Sequence, residues 1–187
     1  MSAVDRLPVT EVLVAPAPGV TVPSLPINAT VRVLPETSNL YAAWNAAMNA
    51  ASGPYIWFVN DDDYFQGPPI APPKIFQDVP ANIPLRLEGR RPRRSVSKAR
   101  SNGKIAFVDF FHANRAGNIN SYVWPLEVAQ CVGPFLEQFR ISGDVEWMAR
   151  LVGVDLSIKW LDRPTYIQRR GPGRARRRRA RAVAALR

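Results

Sequence analysis

Cysteine and histidine are almost missing from this chain: among 187 residues there is one of each, Cys131 and His112. A lone thiol excludes an internal disulfide framework and any cysteine-cluster zinc site, since both need several thiolates at matched spacing. A lone imidazole means that no His-based metal site or Ser-His-Asp triad can be assembled without His112, which follows an apolar strand and reads as a loop or acceptor-side residue. The N-terminus has no basic region followed by an apolar core, so no secretory signal is expected. A reducing, cytoplasmic location follows as the default. A membrane-spanning run is lacking too. The one uncharged stretch of suitable length, Thr37 to Asn60, contains Asn39, Asn45, Asn49 and a Ser52-Gly53-Pro54 break, which would leave polar and unpaired backbone groups in hydrocarbon.

What is present is material for one ordinary domain: 47% apolar and 10% aromatic residues, enough at this length for a real core. The formal charge of +10 is unevenly placed. Arg90 to Lys104 holds seven bases and no acid, and Arg169 to Arg187 holds nine arginines and no acid. The rest has nine bases against fifteen acids, a net of −6. The high isoelectric point therefore describes two segments, not the fold.

Along the chain, Glu11 to Val14 and Thr30 to Leu34 are short β-branched runs bounded by Pro or Gly and are predicted as buried strands. At Asn39 the period changes. Leu40, Tyr41, Trp44, Met48 and Ala51 recur at helical spacing, with Thr37 or Ser38 available as N-cap and Gly53-Pro54 ending the helix. Tyr55-Ile-Trp-Phe-Val59 is a continuous apolar run, suited to a central strand covered on both faces. Strand, helix, strand implies a crossover in a largely parallel sheet. Residues 67–104 are rich in Pro and then basic, a variable loop. Ile105 to Phe111 predicts a strand, Leu126 to Val132 and about Val145 to Val152 predict helices, and Leu156, Ile158 and Trp160 alternate as a final strand. From 169 onward the Arg, Ala and Gly composition has no core-forming pattern and is predicted as a disordered tail. Trp44 and Trp147 sit on apolar helical faces and are predicted core; Trp124 could line a sugar site but is more simply core.

The tetrapeptide Asn60-Asp61-Asp62-Asp63 carries the most chemistry. Adjacent carboxylates repel one another, and a cation reconciles them. Hard oxygen ligands suit Mg or Mn, which take one or two carboxylates and fill other positions with water and phosphate. The carboxyl end of a parallel sheet is also where open α/β folds bind ligands. A solvated acidic turn is the alternative.

The run from Asn39 to Phe65, with Tyr41-Ala-Ala-Trp-Asn45, Ala51-Ser-Gly53-Pro-Tyr55, an apolar strand and then the acidic triplet before Tyr64, resembles the donor-binding region of family-two glycosyltransferases of the GT-A fold. Downstream, Gly133-Pro-Phe135-Leu-Glu137 and Asp144-Val-Glu146-Trp147 are similar to the family's turn and acidic residue ahead of a Trp- and Leu-rich helix. Trp160-Leu-Asp-Arg-Pro164 is similar to its following strand. The resemblance implies a single GT-A-like α/β domain over residues 1–168, with a Rossmann-type, mostly parallel sheet flanked by helices. It implies metal-dependent, inverting transfer of a sugar from a nucleotide-diphosphate donor to an acceptor hydroxyl. By the same resemblance Asp63 would hold Mg or Mn, Asp61, Asp62 and Asn45 would face the donor, and Asp144, expected at the N-cap of its helix, would be the general base with Glu146 as runner-up. The acceptor would be a glycan or a lipid-linked molecule.

The family normally opens with an apolar strand. Only about ten residues precede Glu11 here, so that strand is expected to be lacking. Ala15-Pro16-Ala17-Pro18 stands where the family commonly has a base-contacting Asp. Weakened or unusual donor binding is the consequence, and a non-catalytic or truncated GT-A-like protein that binds polyanions or anionic membrane through its basic segments is the alternative reading. The Arg-rich tail could make peripheral membrane contact. It lacks interleaved aromatics for base stacking, which argues against specific nucleic-acid binding.

Overall fold

The computed structural model describes residues 9–24, 29–59, 64–66, 85–90, 105–106, 119–154, 156–167 and 181–186. The acidic triplet, most of the 67–104 loop, His112 and residues 168–180 lie outside the described residues.

Nine strands are described: β1 (Val9–Ala15), β2 (Thr30–Val33), β3 (Tyr55–Val59), β4 (Tyr64–Gln66), β5 (Leu85–Arg90), β6 (Ile105–Ala106), β7 (Tyr122–Pro125), β8 (Ser157–Ile167) and β9 (Arg181–Leu186). Three helices accompany them: α1 (Leu40–Ala50), α2 (Leu126–Val132) and α3 (Gly143–Arg150). The sheet order is β2-β1-β9-β3-β7-β5-β8-β4, with β6 beside β8. The fold is α/β, as expected. Strands β1, β2 and β3 run in one direction, and β5 pairs parallel with β8. Strands β9, β7, β4 and β6 are inserted antiparallel, so the sheet is more mixed than a simple strand-helix-strand reading predicts.

Helix α1 forms where the 3.6-residue period begins. Its N-cap is Asn39, not Thr37 or Ser38: the Asn39 side chain accepts from the Tyr41 N–H at 2.8 Å, satisfying one of the helix's unpaired first-turn donors. The apolar face of α1 puts Tyr41, Trp44, Ala47 and Met48 against Leu13, Ile56 and Phe58 of the sheet. All five β3 residues are buried. Trp57 points away from the face that carries Ile56 and Phe58, and its Nε1–H donates to the Asn120 carbonyl at 2.8 Å. Asn120 Nδ2 returns a bond to the Phe58 carbonyl at 2.9 Å. This exchange ties the 3₁₀ turn at Ile119–Ser121 to β3 just before the acidic segment.

Two strand expectations need correcting. β2 is exposed along its whole length, because it is the edge of the sheet and its β-branched residues cover no second layer; Val33 is 59% exposed. The C-terminal residues Arg181–Leu186, expected within a disordered tail, form β9 between β1 and β3. Composition hid this, because Ala and Arg are poor strand signals. Two long open strand edges supply main-chain partners that composition does not reveal.

The core is aromatic. Phe135, in the turn after α2, stacks on Tyr41 and Trp147 with ring centroids 5.9 and 5.0 Å apart, and meets Phe58 edge-on at 5.3 Å. Trp44, Trp124 and Trp147 are all buried, as predicted. The uncharged stretch Thr37 to Asn60 is split into α1 and β3, and no helix among the described residues is long and apolar enough to cross a membrane.

Candidate active site

The site is organised by one face of α1. Asn45 is almost fully buried, at 8% exposure, and its amide is committed to the turn after α2. Its Nδ2 donates to the Phe135 carbonyl and to Glu137 Oε1, both at 3.0 Å, and its Oδ1 accepts from the Phe135 N–H at 2.7 Å. Asn39 Nδ2 donates to the Glu137 carbonyl. One turn before Asn45 on the same face, Tyr41 Oη accepts from the Gly143 N–H at 2.8 Å. Helix α1 thus fixes both the Phe135–Glu137 turn and the first residue of α3.

That approach explains Gly143. A Cβ there would lie 2.7 Å from the Tyr41 ring, closer than carbon atoms sit, so only Gly lets α3 start against the tyrosine. The expected N-cap changes accordingly: it is Ser142, in the left-handed region at φ 65°, and Asp144 is the second residue of the helix. The Asp144 carboxylate accepts from the N–H groups of Val145 and of Asp144 itself. Burial pushes its pKa up, and those backbone bonds only partly offset the effect. Desolvation therefore outweighs both the hydrogen bonds and the favourable helix N-terminus. No ion pair engages Asp144 among the described residues.

Glu146 differs. Both of its oxygens meet Arg150, Oε1 at 3.1 Å from Nε and Oε2 at 3.1 Å from Nη2. Arg150 also donates to the carbonyls of Val132 and Pro134, at 3.1 and 2.8 Å. Trp147 Nε1–H donates to the Gly133 carbonyl at 2.8 Å. Glu146 is thereby part of a clamp holding α3 on the end of α2, a structural task that competes with proton transfer.

A second polar cluster, not singled out by the sequence reading, lies at the other end of α1. Glu11 on β1 accepts from Arg32 Nη1 at 2.6 Å and from the Ser52 N–H and hydroxyl, each at 3.2 Å. Arg32 also donates to the Ala50 carbonyl at 2.9 Å, capping α1. Burial alone would raise the Glu11 pKa, but the Arg32 and Ser52 bonds together hold it below the usual carboxylate value. The only local hint was an acid inside an apolar strand.

Asp61, Asp62 and Asp63, the candidate metal and donor residues, lie in sequence between β3 and β4 and outside the described residues. Among the described residues no cluster of His, Cys, Asp or Glu could hold a metal ion. The chemistry of the triplet itself fits one, because three carboxylates offer the hard oxygen donors that Mg and Mn prefer.

Residues 21–70 match the family model described as Glycosyl transferase family 2. The fold is GT-A-like. The chain is similar to solved structures of S. aureus TarS: residues 1–349 in complex with UDP (18% identity, TM-score 0.56, 79% of this chain and 45% of that one). It is also similar to S. aureus TarS (16%, 0.56, 79% and 27%) and to residues 1–349 in complex with UDP-GlcNAc (16%, 0.52, 78% and 44%). This chain therefore spans less than half the length of the solved chains it matches. No curated protein sequence matches it. The resemblance to family-two glycosyltransferases read from Asn39 to Phe65 is borne out by the family model, which covers those residues, and the expected GT-A-like fold by the structural likeness.

Proposed function

We propose that the protein is a glycosyltransferase that moves a sugar from a nucleotide-diphosphate donor to an acceptor hydroxyl, with inversion and with a divalent metal. The observation that carries this reading is Asp144. A carboxylate that is largely desolvated, unpaired by any described cation and held on a helix whose start is locked to Tyr41 costs stability, and proton transfer gives that cost a purpose. Its raised pKa makes it a stronger base than an exposed aspartate. An acceptor hydroxyl needs its proton removed as it attacks the anomeric carbon, and a positioned carboxylate does this in one displacement.

Asp63 would hold Mg or Mn, with Asp61 or Asp62 toward the donor. When bound, the ion would neutralise charge developing on the departing nucleotide diphosphate. The three bonds of Asn45 support a positioning role rather than the direct donor contact implied by the resemblance: it aims Glu137 and Phe135, and the turn they occupy borders α3. The TarS structures hold UDP and UDP-GlcNAc, so uridine nucleotides are the first donors to test.

The test is Asp144→Asn. It should retain Mn-dependent nucleotide binding within about twofold while losing transfer by at least about a hundredfold, the usual worth of a general base. Unchanged transfer would remove Asp144 from the reaction and shift attention to Glu146.

A further inference from the structure

Helix α3 begins without the device that usually opens a helix. Ser142 stands at the N-cap, but its side chain makes no capping bond. The first N–H groups of α3 therefore need other acceptors. The Gly143 N–H goes to Tyr41 Oη at 2.8 Å. The Asp144 and Val145 N–H groups meet the Asp144 carboxylate, and the Val145 and Glu146 N–H groups also reach the Ser142 carbonyl, each at 3.1 Å. The first donor is thus answered by a phenol on another helix, and the acid is left with the next two.

This division matters for Asp144. A carboxylate that accepts from two or three backbone N–H groups becomes a helix cap and a weak base, because each bond favours its charged form. Tyr41 takes the first donor out of that competition. Its ring is fixed for the purpose, stacked on Phe135 at 5.9 Å and edge-on to Trp44 at 5.7 Å. Gly143 completes the fit, since a Cβ there would lie 2.7 Å from the same ring. The bond joins residues 102 apart in sequence, so α1, not the residues just before α3, answers the first donor of that helix.

We propose that Tyr41 is a positioning residue for the general base: by accepting the first N–H of α3 it keeps the Asp144 carboxylate from serving as that helix's cap and leaves it available to take a proton. This rests on the glycosyltransferase reading for the task of Asp144, but not for the bond or its effect on the carboxylate. The other ionisable groups on the segments that meet here are engaged elsewhere or exposed. Glu146 pairs with Arg150, Glu137 accepts from Asn45, and Glu127, Cys131 and Arg140 are exposed.

The test uses the full-length protein and its Tyr41→Phe, Gly143→Ala, double and Glu11→Gln variants, carrying a carbon-13 label at the aspartate carboxyl carbons, with Asp144→Asn to assign the signal. NMR follows the titration of Asp144, and turnover of UDP-GlcNAc with Mn, water being the acceptor, gives kcat and KM. In Tyr41→Phe the released Gly143 N–H can reach the carboxylate, so the Asp144 midpoint should fall by about half to one pH unit. kcat should fall about tenfold, with KM and UDP affinity held within about twofold. Gly143→Ala should act alike, and the double variant no more strongly than either single, because both break one bond. Glu11→Gln, at the far end of α1, should move neither quantity. An unchanged Asp144 midpoint or an unchanged kcat in Tyr41→Phe would overturn the proposal, as would an equal fall in Glu11→Gln, which would mean general loosening. If the midpoint is unchanged in Tyr41→Phe while Asp144→Asn abolishes turnover, the positioning role fails and the transferase reading stands. If the midpoint falls as expected but no uridine nucleotide binds with Mn, the Tyr41 lock stands and the transferase reading fails.

Discussion

Replacing Asn45 with Asp changes one atom and reverses its hydrogen-bond character where two donors are required. The Oδ1 bond from the Phe135 N–H can persist. The two 3.0 Å bonds from Nδ2, to the Phe135 carbonyl and to Glu137 Oε1, become contacts between acceptors. A neutral bond is worth about 1 kcal/mol and one to a charged group about 1.5–3 kcal/mol, so Asn45→Asp should cost about 2.5–4 kcal/mol at neutral pH. The new carboxyl would be buried beside another carboxylate, so its folded pKa would lie above its unfolded one. The protonated form can donate again, so the deficit should be largest at pH 8 and shrink toward pH 5. Glu137→Gln supplies a replacement donor from the other side, and the double variant should be about 1–2 kcal/mol more stable than the sum of the two singles. Urea denaturation of the four proteins at both pH values is the assay. Strict additivity, or an Asn45→Asp deficit that grows on acidification, would refute the assigned bond directions.

Other consequences can be checked with the same equipment. Gly143→Ala should lose about 1–3 kcal/mol by forcing a methyl against the Tyr41 ring, while Tyr41→Phe should lose about 1–3 kcal/mol by leaving the Gly143 N–H without its acceptor; thermal melts of both single variants would show it. Asp144 has a raised folded pKa, so its contribution to stability is present below the unfolded value and lost as pH rises through the folded one; Asp144→Asn should match the wild type in acid and equal or exceed it at neutral pH. Glu11 has the opposite sign: its lowered pKa gives stability present above the unfolded value and lost as pH falls through the folded one. The deficit of Glu11→Gln should therefore be clear at pH 7 and close on acidification, as followed by circular dichroism across pH.

Features set by local pattern were legible in the chain. The α1 face repeats at helical spacing, and the five-residue apolar run of β3 is buried on both sides. The Tyr41-to-Asn45 spacing is a one-turn step, so both residues share the face that organises the site. What local pattern missed was set at long range. Thr30–Val33 looks like a core strand, but its place at the sheet edge exposes it. Glu11 finds its cation 21 residues away on the neighbouring strand. Asp144 looks like an N-cap because an acid before a helix usually is one; the helix instead starts two residues earlier, at Gly143, where the Gly143 N–H bonds to Tyr41. β9 is apolar from Ala182 to Leu186 but mostly Ala, a weak strand former, and follows a run of arginines; its partners are two strands more than a hundred residues earlier.

Calorimetric titration of UDP into the protein, with Mn present and then chelated, bears most directly on whether the acidic triplet after β3 serves a nucleotide donor. Saturable one-to-one binding that requires Mn and disappears in Asp63→Ala is expected, while Glu146→Gln still binds. Binding that is indifferent to Mn and to Asp63→Ala would contradict it.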